Sequence, residues 1–269
     1  MTRDTKRGAG FPLRLDQVDP RRGTSPGTVL RPQRPLREAA ADLARVPAAA
    51  GLGLDSDGVR QRMVDRLQAQ GLRDERVIAA MRAVPRHLFV DTALAGQAYE
   101  DTSLPIGLGQ TISKPSVVAR MIELMLVRQP QGALSRVLEI GTGCGYQAAV
   151  LARVARLVVS VERLRPLHER ARENLAGLRS SGLRLVYGDG RIGHAPNAPY
   201  DGIIAAAGGE DLPAAWIDQL APGGRLVAPM HDARTGGQVL MVVDRQPDGR
   251  IDRSVHEAVK FVPLKSGVD

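Results

Sequence analysis

Three alternate glycines, Gly141, Gly143 and Gly145, follow directly on the apolar run Val137-Leu138-Glu139-Ile140, with Thr142 and Cys144 between them. The run reads as a buried parallel strand. Ala148, Ala149, Leu151, Ala152 and Val154 then mark the apolar face of a helix. A strand, a glycine turn and a helix start make a nucleotide-sized pocket, because bare backbone lets a ligand approach and free N–H groups face it. About twenty residues further on, a second strand over 157–161 ends in Glu162. A carboxylate there suits the paired hydroxyls of a ribose, since it accepts two hydrogen bonds at once. Glycines alone would be satisfied by a tight turn. The strand, the helix and the acid at its distance argue for a nucleoside site.

Finer spacing separates the cofactors. A dinucleotide fingerprint needs glycine or alanine in the sixth place counted from Gly141, and Tyr146 stands there. Glu139 would repel a pyrophosphate and attract the cationic methionine end of S-adenosylmethionine. Its alternative use is to fix the loop by accepting backbone N–H bonds. The pattern favours S-adenosylmethionine over NAD.

The rest of the chain supplies the elements that hold such a turn. Val59, Met63 and Leu67 fall on one helical face, with Gly71 at the C-cap position. Val77, Ile78, Met81 and Val84 form a second face that Pro85 ends. Residues 104–115 read as a loop with short β pieces, and Pro115 opens a helix carrying Val118, Met121, Ile122 and Met125. A long loop at a helix start just before the cofactor strand is a place for substrate contacts. After Glu162 comes a helix with Leu167, Ala171, Leu175 and Leu178, ending near Gly182. Strands follow at 183–187, 200–205 and 225–228, with a helix at 212–220 and a turn at Pro222-Gly223-Gly224. Two last strands, 238–243 and 255–262, join through Pro247-Asp248-Gly249. This predicts an α/β protein with a doubly wound, mostly parallel seven-stranded sheet and an N-terminal helical cap. Ligands belong over the C-terminal ends of its strands.

Composition narrows the rest. No apolar run reaches the roughly 18 residues of a membrane span, and the start lacks the apolar core of a secretory signal. Cys144 is the only cysteine, which leaves no internal disulfide or thiolate metal cluster and favours a reducing cytoplasm. The five histidines lack metal-ligand spacing, so no metal is assigned. Residues 1–45 hold ten Lys and Arg against five Asp and Glu, so most of the net charge of +8 lies outside the folded part. Nucleic acid is therefore not an expected partner. Residues 1–58, rich in Pro, Gly, Arg and Ala, read as a disordered extension with room for a short helix over 36–45. Residues 59–269 form one domain: 59–115 a helical cap with the substrate loop, 116–269 the cofactor core.

Leu104-Pro105-Ile106-Gly-x-Gly-Gln110-Thr111-Ile112-Ser113-x-Pro115 and then Val-Leu-Glu-Ile-Gly-Thr-Gly-x-Gly-Tyr resemble the protein-L-isoaspartate O-methyltransferase family. So do Gly188-Asp189-Gly190, Pro199-Tyr200-Asp201, Leu220-Ala-Pro-Gly-Gly-Arg-Leu-Val and Phe261-Val262-Pro263-Leu264. The glycine turn is shared by many methyltransferases, and the Gln-Thr-Ile-Ser-x-Pro loop is far more specific. The resemblance spans residues 59–264. Three positions depart from it: Cys144 for a frequent serine, Lys114 for a small or amide residue, and Gly208-Gly209 in a segment commonly rich in Ala and Pro.

The resemblance implies methylation of the free α-carboxylate of L-isoaspartyl residues in damaged proteins, which starts their repair. It implies Thr111, Ile112 and Ser113 at the substrate, with Ser113 holding the carboxylate. From the residues alone, Ser113 reads as an N-cap. It implies Asp189, with Gly190, at the adenine amino group, where the bland reading is a turn. Glu139, Gly141, Thr142, Gly143, Gly145 and Glu162 complete the expected cofactor set. Isoaspartyl proteins are the expected partners of a monomer without nucleic acid or membrane. Rival readings are a methyltransferase for a small molecule or RNA, an NAD enzyme, and an inactive module binding nucleic acid through its basic extension.

Overall fold

The computed structural model describes residues 57–128, 134–178 and 182–269. The predicted extension, with its short helix over 36–45, lies outside the described residues apart from Asp57 and Gly58. Helix α1 (Asp57–Ala69) and helix α2 (Glu75–Ala83) form the cap. The end of α1 is a Schellman motif: Leu72 N–H donates to Leu67 O at 3.0 Å and Gly71 N–H to Gln68 O at 3.0 Å. Strands β1 (Leu104–Gly107) and β2 (Gln110–Ile112) pair as a separate antiparallel hairpin ahead of α3 (Pro115–Leu126).

The main sheet comprises β3 (Leu134–Ile140), β4 (Ala155–Glu162), β5 (Leu183–Tyr187), β6 (Tyr200–Ala205), β7 (Leu220–Asp232), β8 (Gly237–Arg245) and β9 (Ile251–Val259), in the order β5-β4-β3-β6-β7-β8-β9. β8 alone runs opposite to the other six strands. Helices α4 (Tyr146–Leu151), α5 (Arg165–Ala176) and α6 (Ala214–Asp218) join the parallel strands. The chain winds outward from β3 to β5, then returns to the other side of β3 at β6. A crevice therefore opens above the end of β3, between its two parallel neighbours.

Period-two alternation divides the core. Val137, Val158, Ile204 and Val227 face α1, α2 and α3, while Leu138, Val159, Ile203 and Leu226 face the opposite side with Trp216. Met121, Met125 and Trp216 are fully buried, as their helical placement predicts.

Several boundaries differ from the sequence expectation. Helix α4 stops at Leu151, because β4 begins only four residues later, and Val154 lies in the connection. Helix α5 ends at Ala176, before Leu178, and α6 is confined to Ala214–Asp218. Pro222-Gly223-Gly224 is no turn before a strand but lies within β7. The register jumps there from Tyr200↔Leu220 to Gly202↔Arg225. The bulge absorbs the extra residues without ending the pairing. Strand β9 starts at Ile251, four residues earlier than predicted, since the turn after Pro247 is tight. Strand β8 separates β7 from β9.

Gly208-Gly209 also has a structural account. Gly208 N–H donates to Val262 O at 2.8 Å and Gly208 O accepts Leu264 N–H at 2.7 Å, while Gly209 O accepts His231 N–H at 2.9 Å. A Cβ on Gly208 would sit 2.3 Å from Gln238 Nε2.

Candidate active site

The glycine turn leaves β3 at the crevice. Gly141, Gly143 and Gly145 take φ of +90°, +55° and +91°, a region closed to most L side chains, which is why they alternate. Gly141 and Thr142 N–H groups reach Val161 O at 2.9 and 3.3 Å, tying the turn to β4. Glu162, 5% exposed, locks it from the other side. Its Oε2 accepts Gly143 N–H at 2.8 Å and its Oε1 accepts Leu164 N–H at 2.9 Å. The carboxylate thus organises both the turn and the start of α5, and each oxygen keeps a further lone pair for a ligand hydroxyl.

A cavity of about 470 Å³ opens over this turn, within the size range of small-molecule sites. Its walls bring together Thr111, Ile112, Ser113, Gly141, Thr142, Gly143, Glu162 and Gly190. Gly190 is held against β3, where a Cβ would lie 2.5 Å from Ile140 Cγ2. The hairpin closes the opposite side, fastened by Arg170 Nη1 to Ile106 O at 3.1 Å.

Ser113 is not the helix cap. The N-cap of α3 is Lys114, whose side chain makes no capping bond. Asp101 does that work from outside the helix, accepting Ser116 N–H at 2.9 Å and Ser116 Oγ–H at 2.8 Å. The half-buried Ser113 hydroxyl therefore faces the cavity with no hydrogen-bond partner among the described residues. Replacing Asp101 with alanine is expected to cost about 1 kcal/mol, as caps do. Thermal unfolding should show it as a drop of about 2–4 °C.

Three predicted cofactor residues are not on the cavity wall. Gly145 supports the turn behind it, 2.9 Å from Leu175 Cδ1 were it to carry a Cβ. Asp189 caps a short 3₁₀ turn by accepting Arg191 N–H at 2.8 Å, and its other oxygen accepts Gly267 N–H at 2.7 Å. Glu139 is fully buried beneath the turn. It accepts no backbone N–H there: its Oε2 takes the Ser160 hydroxyl, which lies 2.6 Å from Thr142 Oγ1. Gln147 stands near enough to act on its charge, but among the described residues Glu139 Oε1 and both Gln147 side-chain polar atoms have no hydrogen-bond partner. Position along β3 could not reveal this, because side chains alternate between faces and the turn covers Glu139.

Burial pushes the Glu139 pKa from 4.5 up to about 8, and the neighbouring Glu162 charge adds to the rise. Ser160 and Gln147 oppose it. The unfolded acid ionises near 4.5 while the folded one holds its proton to about 8. Stability is therefore fully retained below the lower value and lost progressively as pH rises toward the upper one. Glu139→Gln should remove that loss. Its melting temperature relative to the parent is expected to climb between pH 5 and 8, by the equivalent of a few kcal/mol at most.

Cys144 is 3% exposed, and burial raises its pKa to about 11, so it carries no nucleophilic thiolate. The buried Arg86 guanidinium lies over the Tyr146 ring, 4.8 Å from its centroid, and steadies the first residue of α4.

These features can be compared with known proteins. The model of the protein-L-isoaspartate(D-aspartate) O-methyltransferase family matches residues 58–269. The chain belongs to that family. It is 74% identical over 259 residues, 96% of each chain, to the protein-L-isoaspartate O-methyltransferase of Methylibium petroleiphilum. That span reaches into the residues before 58, further than the motifs alone indicated. A solved protein-L-isoaspartate O-methyltransferase shares 29% identity at a TM-score of 0.67, covering 78% of this chain and 67% of that one. A Plasmodium falciparum structure, determined with S-adenosyl-L-homocysteine bound, shows the same fold at 23% identity and a TM-score of 0.63, covering 77% of this chain and 98% of that one.

The family's cofactor is S-adenosylmethionine, and the site suits it. The positive-φ turn leaves backbone exposed to the cavity, and the unpartnered polar atoms of Glu139 and Gln147 lie beneath it. Other wall residues were given no role in the site by the sequence, although Pro263 and Leu264 belong to one of the family motifs. Ala206 and Ala207 follow β6 at the crevice, where the strand-end rule would point, but Pro263, Leu264, Lys265 and Asp269 reach the wall only through the tertiary fold.

Proposed function

We propose that this protein-L-isoaspartate O-methyltransferase works chiefly by alignment, with Ser113 holding the substrate α-carboxylate over the cofactor turn. The observation that carries this is the Ser113 hydroxyl: it has no hydrogen-bond partner among the described residues and opens on the same cavity as Gly141, Gly143 and Glu162. A carboxylate is already ionised and nucleophilic at neutral pH, so the chain need not supply a strong base. When bound, S-adenosylmethionine supplies an electrophilic methyl group on a sulfonium. The residues hold the reacting groups in line, which is worth up to roughly 7–11 kcal/mol. Ser113 donates its hydroxyl hydrogen to one carboxylate oxygen, leaving the other free to attack. Thr111, on the exposed face of β2, and the buried Ile112 shape the entry for the peptide. Glu162 accepts the ribose hydroxyls with the lone pairs its backbone bonds leave over, and Gly190 allows the nucleoside to lie close. Leu108 and Ile106 on the hairpin narrow the opening and limit water.

The product ester cyclises to a succinimide by its own chemistry, and hydrolysis returns part of it to normal aspartate. On this reading, residues 59–115 serve as cap and substrate loop and residues 116–269 as the cofactor core. With a single cysteine and a basic excess concentrated near the start, we take the protein to act as a cytoplasmic monomer on proteins rather than nucleic acid. No described helix is long and apolar enough to cross a membrane.

The test is transfer of labelled methyl from S-adenosylmethionine to an isoaspartyl peptide, beside the matching aspartyl peptide. Base-labile label on the first alone is the expected result. Label on RNA, on both peptides equally, or on nothing would defeat the reading.

A further inference from the structure

The segment 265–269 does something no motif announces. It leaves β9 through Pro263 and Leu264, whose backbone is fixed at Gly208, and then crosses between two loops. One loop follows β4: Arg163 Nε donates to Gly267 O at 3.1 Å and Arg163 Nη2 to Asp269 Oδ2 at 2.7 Å. Backbone bonds join them further, Asp269 N–H to Arg163 O at 3.0 Å and Arg165 N–H to Asp269 O at 3.0 Å. The other loop follows β5: Gly267 N–H donates to Asp189 Oδ2 at 2.7 Å, and Tyr187 O–H to Asp269 O at 3.1 Å. Glu162 ends the strand that enters the first loop and Gly190 lies in the second, and Lys265 and Asp269 themselves line the cavity.

The attachment is polar and exposed, with Asp269 leaving 68% of its side chain to solvent. Bonds of that kind hold weakly, and a segment with little apolar burial opens far more readily than the sheet beneath it. We infer that residues 265–269 are a detachable strap over the nucleoside end of the cofactor cavity, positioned by Arg163 and Asp189, whose opening sets how fast S-adenosylhomocysteine leaves. This rests on the assignment of Glu162 and Gly190 to the nucleoside. It gives Asp189 an anchoring task, which accounts for both its oxygens being engaged by backbone N–H groups.

Gly267→Pro tests the strap in the full chain without altering a wall residue. Gly267 has φ +76°, which proline cannot adopt, and proline has no N–H for Asp189. A second variant lacks residues 265–269. In both, the dissociation rate of S-adenosylhomocysteine, followed by rapid-mixing displacement, should rise roughly five- to twentyfold. For Gly267→Pro, which changes no wall residue, the ligand-free melting temperature should stay near the parent's and the isoaspartyl-peptide KM at saturating cofactor within twofold. A dissociation rate within twofold of the parent in either variant overturns the strap. So does a peptide KM that rises in step with the rate, since that marks general loosening. If the parent chain itself fails to bind S-adenosylhomocysteine, the nucleoside assignment falls and the strap falls with it.

Discussion

Glu162→Gln is expected to weaken S-adenosylhomocysteine binding roughly 100-fold, because the change breaks the turn as well as the proposed ribose contact. The carboxylate accepts Gly143 N–H on one oxygen and Leu164 N–H on the other. An amide has a single acceptor oxygen, so its NH2 would face one of these N–H groups, donor against donor. In a residue 5% exposed, water cannot repair that mismatch. Each hydrogen bond to a charged group is worth about 1.5–3 kcal/mol, and two are compromised together with any to the ribose. Titration calorimetry should register the loss, while the peptide KM at saturating cofactor moves much less. A dissociation constant within threefold of the parent would show that Glu162 contributes nothing to cofactor binding.

Ser113→Ala should lower turnover roughly ten- to a hundredfold with cofactor binding unchanged. Alanine removes one hydroxyl and little volume. Helix α3 keeps its start, because Asp101 and Pro115 supply that and Ser113 does not. A stability change is therefore not expected, and equal melting temperatures would separate this variant from Asp101→Ala. In the role proposed for it, the serine acts on the carboxylate during alignment, so kcat should fall more than KM rises. Steady-state rates within twofold of the parent would remove Ser113 from the substrate's path.

Much of this molecule is legible in one dimension because its signals are local. The alternating glycines declare a backbone that must turn through positive φ after β3, and Glu162 follows at the distance that a strand-helix-strand unit imposes. The parallel strands read as short apolar runs since both their faces are covered. Pro115 marks a helix start through its fixed φ and missing donor. The loop Gln110-Thr111-Ile112-Ser113 was recognisable as a motif, and motif order gave family and activity together.

What failed locally depended on partners distant in the chain. Pro222-Gly223-Gly224 carries turn chemistry, yet pairing with β6 on either side holds it inside β7 as a bulge. Serine before a proline-led helix is the usual cap, but Asp101, fifteen residues before the Ser116 it binds, takes the place.

The sequence by itself determined that a nucleoside-sized turn lies at the end of the first main-sheet strand, and which residue types stand around it. Only the tertiary structure decided what those side chains face. Glu139 is sealed under the turn with Ser160, Asp189 fastens a distant strand of backbone, and Ser113 is released into the cavity. The reason is physical: backbone propensity and apolar periodicity act over a few residues, whereas the partner that satisfies a buried or half-buried polar group is chosen by packing across the whole sheet.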